Sequence, residues 1–476
     1  MAAYEMVVGL EVHVELSTRT KIFCGCTAAF GGEPNTHCCP VCTGMPGALP
    51  MLNRQVVEFA IAAGLALGCE ITRHTKFDRK NYFYPDLPKA YQVSQLYLPI
   101  CRRGRVEIEA GGRRKAVGIH EIHMEEDAGK LVHDPWSEQT LVDYNRCGVP
   151  LLEIVSEPDL RSAEEAVAYL EKLRATLQYL GVSDCKMQEG SLRADINLSV
   201  RPAGQAELGT RTEMKNMNSF KAIARAIAGE YKRQVELLEE GKAVRQETRR
   251  WDDNKDASFA MRSKENAQDY RYFPEPDLVP IEIDEAWIAR VRAAQPELMD
   301  EKIARYQREL GLSAYDAHIL TAEKPLCALF ERATALSGRP KDVANWIMGE
   351  VLAALKERGQ SPDELTLAPA SLAGIVSLVA GGRITRQSAR EVFAAALDAD
   401  IDPAAYVAAH GLEVLEDDSA YKKILADVLA ACEAEVRRYR AGEEKLFGFL
   451  VGQAMKALHG KADPKKIHEM LREALG

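Results

Sequence analysis

Aliphatic and polar side chains alternate strictly along residues 10–16. Successive side chains of a β-strand point to opposite faces of the sheet, so this alternation predicts a strand with one apolar face. Its other face carries Glu11, His13 and Glu15. The same alternation returns in residues 119–127 and 192–200, so the sequence predicts three such strands, far apart along the chain.

The polar faces of these predicted strands are rich in carboxylates. Residues 119–127 and 192–200 contribute Glu121, His123, Glu125, Asp127, Arg193, Asp195, Asn197 and Ser199. If the three strands pair in one sheet, repulsion makes the shared face unfavourable unless a cation lies on it. Mg²⁺ is the expected ion, because it binds a few carboxylates and completes its shell with phosphates and water.

Two helices can be located in the first part of the chain. Ser162 with Glu165 resembles a capping box, and the amphipathic run that follows stops at Gly181. Ser219 predicts the start of a second helix that ends at Gly241. Beyond residue 285 helical periodicity continues to the C-terminus. The sequence thus predicts an α+β half followed by an all-helical half.

The chain has 476 residues and a formal net charge of −10. A protein that grips nucleic acid only by nonspecific phosphate contacts is usually basic, so any polynucleotide would be held by a local basic patch or together with partner subunits. No apolar run approaches the roughly 20 residues of a membrane helix, and the first residues lack the features of a signal peptide. We therefore expect a cytoplasmic protein with no membrane partner, and the odd count of 11 cysteines suits a reducing compartment.

Four cysteines form two closely spaced pairs. These residues are Cys24, Cys26, Cys39 and Cys42. Two such pairs joined by a short loop are typical of a tetrahedral Zn²⁺ site, and four thiolates would close its shell. We predict a structural Zn²⁺ that holds this glycine- and proline-rich loop. The first pair has the spacing C-x-C, and Cys38 or His37 could replace one ligand. Free buried cysteines are the alternative interpretation.

Residues 77–95 combine aromatic side chains, hydroxyls and lysines. Lysine supplies a point charge for phosphate and aromatic rings stack on bases, so this loop could bind a phosphate, an adenine ring or an RNA end. The alternative is a loop whose aromatic rings are buried in its own domain. Residues 209–220 precede the second helix, and their polar groups, with Lys215, suit either an anion site or ordinary capping.

Several familiar catalytic motifs are absent from the sequence. It has no G-x-x-x-x-G-K-[ST] phosphate loop, no G-x-G-x-x-G and no G-x-S-x-G nucleophile elbow. It also has no serine–lysine amidase signature and no cysteine that resembles a glutaminase nucleophile. If ATP is used, its site is therefore not a P-loop, and if ammonia is used, another protein must release it.

Longer motifs are spread over essentially the whole chain. They are VGLEVH (8–13), CPVC (39–42), GMPGALP (44–50), RKNYFYPD (79–86), EEDAGK (125–130), DYNR (143–146), GVPLLEIVSEPD (148–159), QEGSLRAD (188–195), KNMNSF (215–220) and DYRYFPEPD (269–277). Together they resemble the GatB family, the B subunits of bacterial tRNA-dependent amidotransferases. Near the end, GQAMK (452–456) and HGKADPKK (459–466) resemble the helical tail of YqeY-like proteins.

The resemblance implies three domains. Residues 1–290 would form an α+β catalytic cradle built on a mainly antiparallel sheet, and residues 291–405 an all-α helical domain. Residues 406–476 would form a small YqeY-like helical tail that binds tRNA. The resemblance also implies a heterotrimer, the GatCAB complex, in which the two partners are an amidase (GatA) and a small protein (GatC).

The implied activity is that of a carbon–nitrogen ligase with glutamine as amido donor. The side-chain carboxylate of misacylated Glu-tRNA(Gln) or Asp-tRNA(Asn) would be phosphorylated with ATP. Ammonia released by the amidase partner would then displace phosphate. The competing hypothesis is a non-catalytic RNA-binding scaffold, in which Zn²⁺ gives rigidity and the acidic strand faces are ordinary surface.

The resemblance and the strand pattern together imply residue roles. Mg²⁺ would be held by Glu11, His13, Glu125 and Asp195. Further catalytic candidates are Glu126 and Glu153, whereas Glu15 is expected only to support its neighbours. ATP and substrate would be bound by Lys80, Tyr82, Asp86, Lys89, Arg193, Asn197, Lys215 and Asn216. The tail would contact tRNA through Lys456, Lys461, Lys465 and Lys466, although a charge run of this kind is usually a solvated helix face.

Overall fold

The computed structural model describes residues 4–134, 136–137, 139–263, 267–414, 418–458 and 464–476. The chain divides into two compact units, Met1–Leu298 and Met299–Gly476. The described strands all lie in the first unit, and the described part of the second consists of helices and their connections. The predicted order of an α+β part and a helical part is confirmed, whereas the division into three domains at residues 290 and 405 stays a prediction.

Strands and helices alternate irregularly along the first unit. Its described strands are β1 Tyr4–Glu15, β2 Glu70–Ile71, β3 His74–Thr75, β4 Asp78–Asn81, β5 Tyr91–Ser94, β6 Cys101–Ala110, β7 Arg113–Glu126, β8 Lys130–His133, β9 Thr140–Asp143, β10 Pro150–Ser156, β11 Leu192–Pro202, β12 Thr212–Lys215, β13 Glu247–Asp252, β14 Ala257–Ser263, β15 Phe273–Pro274 and β16 Ile281–Glu282. Its described helices are α1 Arg54–Ala66, α2 Ala163–Leu180, α3 Phe220–Glu239 and α4 Glu285–Ala293, with a 3-10 turn at Ala267–Tyr270.

A nine-stranded sheet organises the first unit, in the order β14-β13-β12-β11-β1-β10-β7-β6-β2. Among the described pairings in this sheet, β12 with β13 is parallel and the others are antiparallel. Short satellite sheets join β15-β4-β5, β16-β3 and β8-β9. The prediction of a mainly antiparallel sheet is therefore confirmed.

The three strands predicted from alternation are β1, β7 and β11, and they do lie in one sheet. Strand β1 pairs directly with β11, but β10 lies between β1 and β7. The alternation does not single out β10, because residues 150–156 contain only one charged side chain. The polar face consequently includes side chains of β10 as well as those of β1, β7 and β11.

Helices cover the apolar face of the sheet. Val8, Leu10, Val12 and Val14 of β1 are buried in a hydrophobic core that also contains side chains of α1, α2, α3 and α4. A half-buried amphipathic strand of this kind is stable only when its apolar side is covered, and the helices supply that cover. The opposite face of β1, β7, β10 and β11 is left to the polar side chains.

Both helices predicted in the first unit are confirmed. Ser162 caps α2 by accepting a hydrogen bond from the amide of Glu165 at 3.1 Å, and Gly181 ends the helix with a φ of 71°. Ser219 caps α3 by accepting from the amide of Ala222 at 3.1 Å. These side chains replace the partners that the first amides of a helix lack, which explains why the helices begin there.

The second unit is a series of short helices. They are α5 Met299–Leu310, α6 Ala314–Ala322, α7 Lys324–Ser337, α8 Pro340–Trp346, α9 Leu352–Arg358, α10 Pro369–Ala380, α11 Arg386–Asp398, α12 Pro403–His410, α13 Asp418–Ala431, α14 Glu433–Arg440, α15 Leu446–Ala457 and α16 Pro464–Leu475, with a π-helical turn at Ile347–Val351 and a 3-10 turn at Pro362–Glu364. A separate small core joins α13, α15 and α16 through Tyr421, Leu425, Leu458 and Leu471.

Shortening a side chain should cost more stability on the apolar face of β10 than on its polar face. Ile154 is fully buried in the core, whereas Val155 points to the polar face and is half-buried. Ile154→Ala should lower the free energy of unfolding by about 2–5 kcal/mol, because it removes buried methyl groups and leaves a cavity. Val155→Ala is the matched control and should change it by less than about 1 kcal/mol. Urea titration followed by tryptophan fluorescence measures both, and equal losses would contradict the assignment of the two faces.

Candidate active site on the polar face of the sheet

Four strands align polar side chains in one row across the sheet. The register places His13 of β1 directly opposite Glu153 of β10 on one side and Arg193 of β11 on the other. Glu153 in turn lies opposite His123 of β7. In the row His123–Glu153–His13–Arg193 the single carboxylate, Glu153, therefore lies between two histidines, an arrangement that lets cross-strand neighbours neutralise it.

The first carboxylate cluster consists of His13, Glu125 and Glu153, each of which can offer one ligand atom within 4.8 Å of the others. His13 Nε2 lies 3.7 Å from Glu125 Oε1 and 3.6 Å from Glu153 Oε2. These separations are too long for hydrogen bonds, yet they are short enough for the three groups to share one ion. The residues of this cluster come from three different strands.

His123 supplies a positive charge beside the first cluster. Its Nε2 binds Glu153 Oε2 at 2.7 Å, and its Nδ1 lies 3.7 Å from Glu121 Oε1. Burial disfavours the imidazolium, but the charge of Glu153 and the interaction with Glu121 outweigh it and raise the pKa of His123 to about 10. Burial and the nearby Glu153 raise the pKa of Glu125. Desolvation opposes ionisation of Glu153, but His123 and His13 hold its pKa below the usual range.

The second carboxylate cluster consists of Glu11, Asp195 and Glu213, again with ligand atoms within 4.8 Å of one another. Glu11 and Asp195 are direct cross-strand neighbours on β1 and β11, and Glu213 comes from β12. Two polar side chains orient the set: Asn197 Nδ2 donates to Glu11 Oε1 and Thr248 Oγ1 donates to Glu213 Oε2, each at 2.8 Å.

Lys215 partly neutralises the second cluster. Its Nζ bonds to Asp195 and lies 3.3 Å from Glu213 Oε1. Burial opposes the ammonium charge, but Asp195 and Glu213 raise the pKa of Lys215 above its usual range. One ammonium faces three carboxylates, so this cluster keeps a net negative charge and attracts a further cation. Glu11 and His13 are two residues apart on β1, so the two clusters lie about 7 Å apart on one face.

Arginines bind the acids at the end of these strands. Arg146 donates from Nη2 to Asp127 Oδ2 and to Glu15 Oε1, both at 2.6 Å, and Arg193 Nη2 donates to Asp127 Oδ1 at 3.0 Å. Burial opposes ionisation of Asp127, but Arg193 and Arg146 hold its pKa below the usual range. Burial and the charge of Asp127 raise the pKa of Glu15 to about 7. Glu15 thus binds Arg146 and belongs to neither cluster.

The predicted basic and aromatic loop places one lysine at the first cluster. Lys80 is half-buried, and its partial desolvation disfavours the ammonium charge, but Glu125 and Glu153 outweigh this and raise its pKa. Its Nζ lies 5.0 Å from the ring centre of Tyr270 and 5.9 Å from that of Tyr82. A desolvated ammonium on aromatic faces keeps a fixed position, which suits it to receive an anion.

Other predicted ligands lie elsewhere. Glu126 follows Glu125 on β7 and therefore points to the opposite face, where it bonds to Lys89 and accepts from the amide of Val93 at 2.9 Å. Glu126 and Lys89 line a cavity of about 120 Å³ beside the cysteine loop. The carbonyl of Asp86 accepts from the amide of Gly129 at 2.9 Å, and Asn216 Nδ2 donates to the carbonyl of Trp251 at 3.1 Å.

The four predicted zinc ligands come together. The sulfur atoms of Cys24, Cys26, Cys39 and Cys42 all lie within 4.8 Å of one another. The Cys39 and Cys42 sulfurs are 3.9 Å apart, close to the roughly 3.8 Å edge of a tetrahedron with Zn–S bonds of about 2.3 Å. A hydrogen bond from Cys24 lowers the pKa of the Cys42 thiol to about 4. The donor set therefore fits Zn²⁺.

Some functional side chains give no sequence signal or lie outside the described residues. Glu213 is not among the predicted residues, because β12 is too short to show alternation, and Thr248 gives no signal at all. Lys456 and Lys465 are exposed, and Lys466 Nζ lies 4.9 Å from the ring centre of Tyr421. Lys461 lies outside the described residues. Every described helix is too short or too polar to cross a lipid bilayer.

Comparisons with known proteins identify the family. The model of the GatB/GatE catalytic domain matches residues 6–289, and that of a GatB domain matches residues 328–475. A protein of Lachnoclostridium phytofermentans, named as the B subunit of aspartyl/glutamyl-tRNA(Asn/Gln) amidotransferase, is 64% identical over 475 residues, 100% of this chain and 99% of that protein. A protein of the same name from Caldicellulosiruptor bescii is 54% identical over 99% of each chain. The chain therefore belongs to the GatB family.

Proposed function

We propose that this chain is the B subunit of an aspartyl/glutamyl-tRNA(Asn/Gln) amidotransferase, in a heterotrimer with an amidase partner and a small third protein. It activates the side-chain carboxylate of Glu-tRNA(Gln) or Asp-tRNA(Asn) with ATP and amidates it with ammonia from the amidase. Membership of the GatB family over the whole chain supports this assignment. We place the reaction in the cytoplasm, where aminoacyl-tRNAs are used in translation.

The observation that carries the proposal is the pair of carboxylate clusters that share strand β1. ATP and the substrate carboxylate are both anions, so phosphoryl transfer between them depends on neutralisation and alignment. Two acidic clusters about 7 Å apart can hold two cations on the same face. A scaffold that only bound RNA would have no use for such a concentration of half-buried and buried acids.

We assign Mg²⁺ to both clusters. Glu11, Asp195 and Glu213 provide the oxygen ligands that Mg²⁺ prefers, and His13, Glu125 and Glu153 provide the second set. The four ligands predicted from sequence thus divide between two sites, each completed by a further glutamate. Mg²⁺ held by these residues would neutralise the charge that develops on the phosphate oxygens.

The surrounding cations bind and orient the anionic substrates. Lys80 lies by the first cluster, and Lys215 lies by the second. Arg193 lies opposite His13 and donates one hydrogen bond to Asp127. These side chains would receive phosphate oxygens or the substrate carboxylate, which is already ionised at neutral pH and needs no general base. An acyl phosphate hydrolyses readily, so the site must exclude water until ammonia arrives.

Asp195→Asn and Glu213→Gln should each lower ATP cleavage by at least about 100-fold, because each removes a charge that binds the cation. They should also raise the Mg²⁺ concentration that gives half the maximal rate. The measurement is phosphate release by the complete heterotrimer with Glu-tRNA(Gln) across a Mg²⁺ series.

Glu5→Gln is the matched control, because Glu5 is a carboxylate on β1 that binds Arg201 outside both clusters. It should cleave ATP at the wild-type rate. Normal ATP cleavage by both cluster variants would remove the kinase role and favour the RNA-binding scaffold instead.

We further propose that the four cysteines hold a structural Zn²⁺. Their sulfurs fit a tetrahedral ion, and the loop that they enclose has few buried apolar side chains to hold it. Zn²⁺ would contribute folding energy to this loop by closing its shell with four thiolates.

Elemental analysis of the purified protein should find one Zn²⁺ per chain. Cys42→Ser should lose the ion and lower the thermal unfolding temperature, because it removes one of four ligands. Cys432→Ser is the control, since Cys432 is a half-buried thiol in the second unit and is not one of the four ligands. Retention of full zinc content by Cys42→Ser would show that the ion is not bound there.

The helical tail is our candidate for tRNA contact. Lys456 and Lys465 are exposed, as a phosphate-binding lysine must be, and Lys466 is partly exposed. Lys461, Lys465 and Lys466 changed together to Ala should weaken tRNA binding. The slope of log affinity against log salt should also flatten by about 0.7–0.9 for each phosphate that is no longer bound.

A filter-binding or fluorescence titration in several salt concentrations measures this slope. Lys232→Ala, Lys242→Ala and Lys255→Ala, combined in one control, remove the same charge from exposed positions of the first unit. If the tail variant and the control have the same slope as the wild type, the tail is not part of the tRNA interface.

A further inference from the structure

Residues 142–148, which we call the bridging segment, connect the end of β9 with the start of β10. This segment contacts two features that are otherwise separate. On one side it binds the cysteine loop, residues 24–42, and on the other it binds the acids at the end of the polar face. Its side chains belong to neither carboxylate cluster.

Asn35 fixes the first half of the bridging segment to the cysteine loop. Its side-chain amide donates to the carbonyl of Val142 at 3.0 Å and accepts from the amide of Tyr144 at 2.8 Å. Its own backbone amide donates to Asp143 Oδ1 at 3.1 Å. Asn35 adopts a φ of 61°, a left-handed conformation that asparagine tolerates better than most residues. Three hydrogen bonds thus converge on a single loop residue.

Asn145 makes the complementary attachment from the bridging segment. Its Oδ1 accepts from the backbone amide of His37 at 2.8 Å, and its Nδ2 donates to the carbonyl of Glu33 at 2.8 Å. Both partners belong to the cysteine loop. The side chain of Asn145 therefore replaces backbone hydrogen bonds that this irregular loop cannot form internally.

Lys21 ties the bridging segment to the cysteine sulfurs themselves. Its side chain is fully buried, and its Nζ lies 3.7 Å from Cys42 Sγ and 3.4 Å from the carbonyl of Tyr144. A buried ammonium is stable only beside a negative charge, and a tetrathiolate zinc centre carries a net charge of about −2. The position of Tyr144 is thereby coupled to the state of the cysteine cluster.

Arg146 carries this attachment to the acidic face. Its Nε and Nη2 both donate to Asp127 Oδ2, at 3.0 and 2.6 Å, and Nη2 also donates to Glu15 Oε1 at 2.6 Å. Asp127 and Glu15 would repel each other without it. Since Asp127 also accepts from Arg193 Nη2 at 3.0 Å, Arg146 determines which oxygen remains for Arg193.

Arg193 has donors left for a ligand. Its Nε is buried and finds no hydrogen-bond partner among the described groups. A guanidinium has five N–H donors, so the bond to Asp127 orients the group without exhausting it. Arg193 also lies directly opposite His13, which places it beside the first cluster.

We propose that Arg146 is a positioning residue for the nucleotide site and that the cysteine loop sets its position. The loop fixes the bridging segment through Asn35, Asn145 and Lys21, and Arg146 then fixes Asp127 and, through it, Arg193. Zinc occupancy and nucleotide affinity are coupled by this chain of contacts. ATP is taken as the ligand of Arg193, and in this respect the coupling rests on the proposed function.

The test measures nucleotide binding and zinc content on the assembled heterotrimer. Arg146→Ala should keep one Zn²⁺ per chain, weaken binding of a non-hydrolysable ATP analogue with Mg²⁺ by about 10-fold or more, and raise KM for ATP more than it lowers kcat. Arg146→Lys keeps the positive charge, so it should recover part of the affinity. The recovery should be incomplete, because an ammonium lacks the planar fork with which the guanidinium binds Asp127 and Glu15 together. If Arg146 only stabilised the fold, its replacement would not raise KM for ATP more than it lowers kcat, and Arg146→Lys would not restore part of the affinity.

Arg201→Ala is the matched control. Arg201 lies on β11 and binds Glu5 of β1 at 2.6 Å, so the variant breaks an arginine–glutamate pair in the same sheet without touching the bridging segment. It should bind the analogue as the wild type does. If Arg146→Ala fails to fold, Arg146→Lys and Asn145→Ala decide the question, and Asn145→Ala should weaken nucleotide binding about 3-fold or more while retaining Zn²⁺.

Removal of Zn²⁺ tests the coupling. A chelator should weaken analogue binding by the wild type, but it should add little to the loss already present in Arg146→Ala. An equal fold-loss on chelation in both proteins would overturn the coupling, and wild-type affinity in Arg146→Ala and Asn145→Ala would overturn the positioning role. Failure of the wild type itself to cleave ATP would instead count against the proposed function.

Discussion

Repulsion among carboxylates on one face of the central sheet is the constraint around which the first unit is arranged. Two like charges about 4 Å apart repel by about 4 kcal/mol at an effective dielectric constant near 20. The sheet brings acids of β1, β7, β10, β11 and β12 onto one surface, so each must find a cation. These cations include His123, which binds Glu153, Lys215, which binds Asp195, and Arg146, which binds Asp127.

The neutralisation is uneven, and that unevenness gives the surface its chemistry. The acids at the end of the strands are well paired, since Asp127 is shared by Arg146 and Arg193. The second cluster, at the centre, is not, because three carboxylates face one ammonium there. Excess negative charge of this kind attracts further cations, and cations held there would neutralise the phosphates in the proposed phosphoryl transfer, for which the chain has no phosphate loop.

The apolar face of the sheet and the cysteine loop both help to hold the polar side chains in place. The helices α1, α2 and α3 bury the aliphatic side of β1 and keep the strands in register, and register decides which acids become neighbours. The cysteine loop has little apolar content, so hydrogen bonds to the bridging segment and its sulfur cluster hold it instead. Its attachment to Arg146 means that it supports the polar face as well as itself.

The sequence by itself determined which side chains share a face and where several helices begin and end. Alternation of period two assigns Glu11 and His13 to one side of β1, and Ser162 and Gly181 delimit α2, because both signals are local. Longer motifs determined the family. Only the tertiary structure decided that β10 lies between β1 and β7, that Glu126 bonds to Lys89, and that Glu11 and His13 lie in different clusters. These outcomes depend on which distant strands pair and in what register, and long-range pairing leaves no local trace in the order of residues.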